Sequence, residues 1–328
     1  MKKTNISIFV PHAGCPHRCS FCDQKSISGK EKAPDPQQVF SLLEQQSSHL
    51  EGMGISAEIA FFGGSFTAIP RGYMQSLLEA ANSAIERFPC YTGIRCSTRP
   101  DCISGEILEL LTRYGVTAVE LGAQSMDDVV LKANDRGHTA DDVRRASELI
   151  KNSNIELGLQ MMTGLYKDSE QAVLKTAREF VKLAPKTVRV YPTVILKNTR
   201  LGELFESGEY QSFSFEKTVE ICAKLLKIFE ENNISVIRMG LHASKDVERE
   251  MLGGVYHPSF REIVESKQLL WELEELLSQL PKGDHTVFTD KKNISRVIGQ
   301  NRGNIKKLSE QGYTIKVKER AGARLEID

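Results

Sequence analysis

Short β-branched runs alternate with stretches of helical apolar spacing along most of the chain. Ile6–Val10, Glu58–Phe62, Gly93–Ser97, Ala118–Leu121, Glu156–Met162, Thr187–Thr193 and Ser235–Gly240 have the length and composition of strands. Between them, Pro36–Leu50, Met74–Arg87, Ser104–Tyr114, Asp141–Asn152, Glu170–Leu183 and Phe215–Asn232 carry apolar residues at three- and four-residue intervals, which predicts helices. Strand–helix alternation predicts an α/β fold with a parallel sheet, its helices outside, curling toward a partial barrel. Ligands of such sheets bind at the carboxyl ends of the strands. After the last of these strands, Gly253–Ser266 is irregular at first and then helical, and Lys267–Gln279 is a helix holding Trp271. Leu280–Asp284 reads as a linker, dividing the chain into 1–280 and a small α+β module at 281–328.

The formal charge is zero, but it is unevenly spread. From Lys282 to Asp328 there are eleven Lys and Arg against six Asp and Glu, a net of +5 that leaves −5 on the rest. A basic tail on an acidic body suits an anionic partner. No apolar run is long enough to cross a bilayer, and the first residues are too short and polar for a signal peptide. A cytoplasmic protein is therefore expected. In that reducing setting, seven cysteines point to metal or catalysis before disulfides.

Three cysteines fall within eight residues, Cys15-Pro-His-Arg-Cys19-Ser-Phe-Cys22, directly after the first strand. A zinc site normally adds a fourth ligand and a separated second pair. An iron–sulfur cube usually has four thiolates, so three leave one iron open. An open iron is what radical S-adenosylmethionine (SAM) chemistry requires: the amino and carboxylate groups of SAM chelate it, and an electron from the cluster breaks a C–S bond of SAM to give a 5′-deoxyadenosyl radical. CxxxCxxC with an aromatic residue before the last cysteine is similar to the signature of that superfamily. The resident cofactors expected are a 4Fe–4S cluster held by Cys15, Cys19 and Cys22, and SAM. Cys90, Cys96 and Cys102 read as buried small hydrophobes, with a second cluster as the alternative.

Other motifs sit at the predicted strand ends. Gly63-Gly64-Ser65-Phe66 ends the second, and two glycines let backbone approach a ligand closely. Ser97-Thr98-Arg99-Pro100-Asp101 ends the third. In the fourth, strand periodicity puts Glu120, Gly122 and Gln124 on one face. Glu120 there either meets a ligand or pairs with an internal arginine. Arg136 lies in Asn134-Asp135-Arg136-Gly137-His138, and Gln160 in the fifth strand.

Taken together, GGSF, STRPD, VELGAQS, NDRGH and Tyr191-Pro192-Thr193 resemble the Elongator catalytic subunit family and its bacterial radical SAM relatives, within a wider group that includes oxygen-independent coproporphyrinogen oxidases. The resemblance covers about residues 5–266. It implies a partial (β/α)6-type barrel, and SAM contacts by Gly63, Gly64, Gln124 and Arg136, with Ser65, Ser97, Glu120 and Gln160 completing the cofactor site. Ser97 stands where relatives often carry Glu, and Gln160 where some carry Asp. Elongator-type proteins also have a longer gap between the first two cysteines and a C-terminal acetyltransferase domain, for which no room remains after Ser266.

The tail segment from Asn293 to Leu308 resembles the core of a KH domain, where a GxxG turn between two helices clamps a nucleic-acid backbone. Here the turn reads Gly299-Gln300-Asn301-Arg302, with its second glycine displaced, and Tyr313–Lys318 and Arg324–Ile327 supply strands. Gly299, Arg302, Lys306 and Lys307 are the RNA-binding candidates. The combined expectation is a radical SAM transferase or oxidoreductase that modifies a nucleotide in tRNA or rRNA. Tyr191, Arg238 and His242 are its candidate catalytic residues, and a flavodoxin- or ferredoxin-type reductant is implied. The alternatives are an enzyme acting on a small molecule such as a tetrapyrrole, and a non-catalytic iron–sulfur RNA-binding protein.

Overall fold

The computed structural model describes residues 2–10, 15, 18–23, 33–242 and 244–328. Pro16 and His17 of the cysteine motif lie outside them. In chain order the elements of the body are β1 (Lys2–Val10), α1 (Pro36–Gly52), β2 (Ile55–Gly63), α2 (Arg71–Arg87), β3 (Tyr91–Thr98), α3 (Gly105–Arg113), β4 (Val116–Gln124), α4 (Asp128–Ala133), α5 (Ala140–Lys151), β5 (Glu156–Thr163), α6 (Glu170–Leu183), β6 (Thr187–Pro192), β7 (Val194–Leu196), α7 (Arg200–Glu206), α8 (Phe215–Glu231), β8 (Ser235–Met239), α9 (Lys245–Glu250), β9 (Met251–Gly254) and α10 (Phe260–Leu277). β1 to β6 and β8 form one seven-stranded sheet in sequential order, parallel throughout. Parallel neighbours need long crossovers, and the helices supply them. The sheet is the expected curled half-barrel, with one strand beyond six.

Burial on both faces explains why the strands read as apolar runs rather than alternating ones. Phe61, Leu121 and Val190 from the sheet meet Leu77, Ile150 and Phe229 from the helices in one continuous core. Helix starts follow from capping side chains. Asp35 and Gln38 form a capping box on α1, Thr139 and Asp142 another on α5, and Ser104, Ser169 and Ser214 cap α3, α6 and α8.

β7 and β9 pair antiparallel across the mouth and were not foreseen. Each is too short to show a period. Gly254 permits the pairing, because a Cβ there would lie 2.3 Å from the Thr193 carbonyl oxygen.

The C-terminal module consists of β10 (Gly283–Thr289), α11 (Ile294–Ile298), α12 (Gly303–Glu310), β11 (Tyr313–Glu319) and β12 (Glu326–Ile327). β10 pairs parallel with β11 and antiparallel with β12. Between α11 and α12, Asn301 and Arg302 both take left-handed φ values, 51° and 60°. Arg302 thus occupies the place of the missing second glycine in a conformation that glycine normally supplies.

No flexible linker separates this module from the body. The helix predicted to start at Lys267 begins at Phe260 and is continuous. Phe260 and Val264 pack in the barrel core, while Leu269, Leu270, Leu273 and Leu277 form the module core with Val287, Val297, Leu308 and Ile315. Leu280 still donates its N–H to Leu277, and Gly283 already lies in β10. The packing of the module thus begins within α10. The turn is fastened to α10 by Asn304, whose Nδ2 donates to Ser266 Oγ at 3.0 Å and to the Arg296 carbonyl at 3.0 Å. Gln300, Gly303 and Lys307 share a cleft of about 250 Å³ with Phe215 and Glu216 at the start of α8. Helices of βα units start on the side of the strand carboxyl ends, so the turn lies toward the barrel mouth.

Leu273 is fully buried at this junction. Leu273→Ala is expected to remove about 2–5 kcal/mol of stability. Urea unfolding would measure the loss, and hydrogen exchange should rise in β10 and β11 before it rises in β3 to β5.

Candidate active site at the carboxyl ends of the strands

The described part of the cysteine segment, residues 18–23, is tied down by two segments distant in sequence. Ser20 donates its N–H to the Asn134 carbonyl at 3.1 Å and its hydroxyl to Asn134 Oδ1 at 2.8 Å. Its own carbonyl accepts from Leu201 N–H at 2.8 Å. Asn134 is fully buried, and its Nδ2 donates to the carbonyls of Val130 and Tyr166. One asparagine thus fixes the loop from below. Arg18 Nη2 reaches the Asn198 carbonyl at 3.3 Å from the other side.

Cys15, Cys19 and Cys22 line a single cavity of about 570 Å³, together with Gly63, Gly64, Ser65, Ser97, Gln124, Arg136 and Gln160. That size suits a small-molecule site. Gly63 is required by geometry: its φ is 119°, and a Cβ would lie 2.7 Å from the Val10 carbonyl oxygen. Gln124 holds a left-handed φ of 66° at an irregularity in the β4–β5 pairing. A non-glycine residue is strained there, and such strain concentrates at ligand sites. Its Oε1 is buried without a partner, as are Nη1 of Arg99 and Nε of Arg136. Buried polar atoms without partners are uncommon, and these three belong to residues that line the cavity. Burial, then the neighbouring Cys19 and Cys15, pushes the Cys22 thiol up to about 12. Among the described residues, no three His, Cys, Asp or Glu are gathered closely enough to clasp one metal ion. Three thiols on one cavity are a donor set that suits an iron–sulfur cluster with one open iron.

Beneath the cavity lies a buried ionic network. Glu120 accepts from Arg189 at 2.6 and 2.9 Å, from Arg95 at 3.3 Å and from Gln160 at 2.9 Å. Arg95 also grips Glu58, and Gln160 Nε2 donates to Ser97 Oγ at 3.1 Å. Of the two readings of Glu120, the structure places it with internal arginines, and it does not line the cavity. Its carboxylate holds Gln160 and Arg189 in place. Removing one partner of such a cluster strands a buried charge and costs about 3–5 kcal/mol.

A second chamber of about 260 Å³ adjoins the first and shares Phe21, Cys22, Gly63, Ser97, Gln124 and Gln160 with it. Phe9, Phe62, Met162, Tyr191, Val194 and His242 complete much of its wall, and the Arg189 guanidinium lies over the Phe62 ring at 5.1 Å. Burial pushes the Tyr191 phenol up, which keeps it a neutral donor. Tyr191 and His242 therefore meet in one chamber. Arg238 does not line it; its Nε donates to the Gly240 carbonyl at 3.1 Å. Ser65 lines the first cavity, but its hydroxyl already bonds Thr98 Oγ1 at 2.7 Å and accepts from Arg99 N–H. Cys90 and Cys96 are buried core thiols, and Cys102 is partly buried. The sequence reading did not single out Asn134, Arg18, Arg99, Phe9 or Phe62. Arg99 and Asn134 lay inside motifs it quoted; Phe9 and Phe62 had only apolar character to distinguish them.

Residues 9–180 match the radical SAM superfamily, and residues 185–269 match the radical SAM C-terminal domain. The chain belongs to the radical SAM superfamily, whose enzymes use a 4Fe–4S cluster and SAM. Within it, the chain is 28% identical to an uncharacterized protein of Methanocaldococcus jannaschii over 65% of its own length and 68% of that protein's. It is 31% identical to Elongator complex protein 3 of Mus musculus over 52% of this chain and 35% of that one. It is 25% identical to a tRNA uridine(34) acetyltransferase of Methanocaldococcus infernus over 66% of this chain and 48% of that one. The chain thus spans about a third to a half of these last two proteins. The solved structure of Methanocaldococcus infernus Elp3 with an N-terminal deletion overlays with a TM-score of 0.63 at 21% identity, covering 85% of this chain and 64% of that one, which supports the fold.

His138 lies against this site, 5% exposed, with Nε2 3.2 Å from the Ala123 carbonyl and Nδ1 without a partner. Burial, then Arg136 and Arg99, lowers it to about 4. The unfolded chain binds a proton near pH 6.5 and the folded one only near 4, so its contribution to stability is intact above 6.5 and lost as pH falls toward 4. The loss is on the order of 3 kcal/mol. Asp168, pushed up to about 6 by burial, acts oppositely over part of that window. His138→Gln isolates the effect: its urea midpoint should fall less steeply than the wild type's between pH 7 and pH 4.5. Parallel curves would show that His138 titrates normally.

Proposed function

We propose that this radical SAM enzyme modifies a nucleotide in RNA, in tRNA or rRNA, and that the C-terminal module brings the RNA to the barrel mouth. The observation that carries the reading is the module's two-helix turn, fastened to α10 on the mouth side with Arg302, Lys306 and Lys307 all exposed. The names of two relatives, one of them a tRNA uridine(34) acetyltransferase, support it. Exposed cations on a turn of this kind suit backbone phosphates, and Gly299 allows the close approach such a turn needs.

Cys15, Cys19 and Cys22 are the cluster ligands in this reading, and the cofactor cavity is the one they line. The cluster and SAM supply one-electron chemistry when bound. The protein's part is orientation and exclusion of water. Gln124 offers an unpartnered acceptor, Gly63 and Gly64 let the backbone approach, and Gln160 is held by Glu120 and Ser97 at the junction of the two chambers. Phe9, Phe62 and Tyr191 give the second chamber aromatic faces that suit an unstacked base. Tyr191 and His242 are the candidate proton-transfer groups of the chamber. A small acidic redox protein, flavodoxin or ferredoxin, is the reductant this chemistry calls for. Among the described residues, no helix is long and apolar enough to cross a membrane.

Deleting the gene should remove one modified nucleoside from digested total RNA, read by mass spectrometry. An unchanged nucleoside profile would exclude RNA as the substrate. Replacing Arg302, Lys306 and Lys307 together by Ala should weaken RNA binding and reduce the slope of log affinity against log salt by about 2–3. An unaltered slope would remove the role assigned to the turn.

A further inference from the structure

The body carries a net −5, yet exposed cations gather on one part of its surface. A shallow groove of about 530 Å³ there is lined by Arg18, Lys132, Asp135, Gly137, His138 and Thr139. Arg18 also lines the cofactor cavity, so one side chain bounds the groove on one side and the cavity on the other. Hydrogen bonds bring further cations to the same rim. The Asn198 carbonyl, which accepts from Arg18, directly follows Lys197 and stands two residues before Arg200. The Tyr166 carbonyl, which accepts from Asn134 Nδ2, directly precedes Lys167.

Arg18, Lys132, Lys167, Lys197 and Arg200 are all exposed. Of these five, Arg200 alone is paired with a described carboxylate, Asp135 at 3.7 Å. Asp168, beside Lys167, accepts from the N–H groups of Gly164 and Ser169 instead, and Asp23 is partly buried. The acids of α7, Glu203 and Glu206, begin one turn beyond Arg200. The rim is therefore positive on an otherwise acidic body, an arrangement that draws in an anionic partner. Two of its cations stand on segments bonded directly to the cysteine motif. Lys132 lies two residues before Asn134, which holds both the N–H and the hydroxyl of Ser20. Arg200 precedes Leu201, whose N–H donates to the Ser20 carbonyl at 2.8 Å. One residue between Cys19 and Cys22 thus joins the rim to the thiols.

The groove shares no lining residue with the second chamber, and no Phe, Tyr or Trp lines it on which an unstacked base could rest. An acidic protein therefore suits this face better than RNA. We infer that the rim of Arg18, Lys132, Lys167, Lys197 and Arg200 is the docking face for a small acidic one-electron carrier protein. One electron passes from the carrier, which is oxidised, to the cluster, which is reduced, and no group is transferred. The inference rests on the reductant named in the proposed function and is independent of RNA as the substrate.

The test uses the full-length reconstituted protein, with flavodoxin hydroquinone as the probe and the rate of cluster reduction read by stopped-flow absorbance. The variant combines Lys132→Glu, Lys167→Glu and Lys197→Glu, none of which lines the cofactor cavity. The wild-type rate should fall as salt rises, because the attraction is screened. The variant should react about ten- to a hundredfold more slowly at low salt, and its rate should rise with salt. Its iron content and its reduction by the small, uncharged 5-deazariboflavin radical should match the wild type. Binding is read separately: a carbodiimide should cross-link flavodoxin carboxylates to Lys132, Lys167 or Lys197, located by peptide mass spectrometry. If the triple variant does not fold, Lys167→Glu alone should show the same change, smaller in size. Equal flavodoxin rates in variant and wild type, or cross-links confined to other lysines, overturn the assignment. So does a loss of tRNA affinity in the variant with its flavodoxin kinetics unchanged, which would make the rim an RNA surface. A wild type reduced by deazariboflavin and not by flavodoxin removes the proposed reductant, and this docking face with it.

Discussion

Burying one carboxylate in the floor of the half-barrel sets the terms for everything above it. Glu120 is 1% exposed, in a place where an unpaired charge is prohibitive. It survives because Arg189, Arg95 and Gln160 all donate to it. Each donor comes from a different strand, so the network also fixes the spacing of β3, β4, β5 and β6. Gln160 and Arg189 then project into the chambers from a rigid base. Well-packed apolar residues can be as stable as such a network, so its retention beneath the mouth is better explained by orientation than by stability.

The cysteine loop needs a similar device because loops are mobile unless their backbone polar groups are satisfied. Asn134 satisfies them in one place, pairing with both the backbone and the side chain of Ser20 while holding α4 and Tyr166. Two residues further on, Arg136 touches Cys19 itself. The segment from Asn134 to Arg136 therefore supports the loop mechanically and electrostatically at once. This explains why a stretch that no strand or long helix claims carries so much of the site's chemistry.

The sheet was legible because its strands are buried on both faces and separated by strongly periodic helices, so element type and order could be read directly. The cysteine spacing is specific, whereas a glycine pair alone is a weak signal that gains weight only from its place at the end of β2; the fold puts both on one cavity. What stayed hidden depended on tertiary contact. Glu120 admitted two partners by periodicity alone, and only the positions of Arg95 and Arg189 decide between them. Arg99 stood inside a quoted motif, but its fork with Asp101 is visible only in three dimensions. The β7–β9 pair was invisible because strands of three and four residues have no period to detect. The continuity between body and module was hidden for a related reason. Leu280-Pro281-Lys282-Gly283-Asp284 has turn composition, yet its neighbours on α10 already belong to the module's core.

That shared helix changes what the module can do. A domain on a flexible tether contributes only effective concentration, which falls as the tether lengthens. Here α10 is packed in the barrel at one end and in the module at the other, and Asn304 pins the turn to the same helix. Substrate held by the turn would therefore meet the mouth at a set distance and angle. Positioning fixed before the reaction lowers its entropic barrier, a gain a tethered module cannot supply. Under the proposed function, the same rigidity would confine the substrate to molecules that can reach turn and chamber together. Selection by reach would not require the module to read sequence, and a turn whose exposed groups include Arg302, Lys306 and Lys307 is consistent with that.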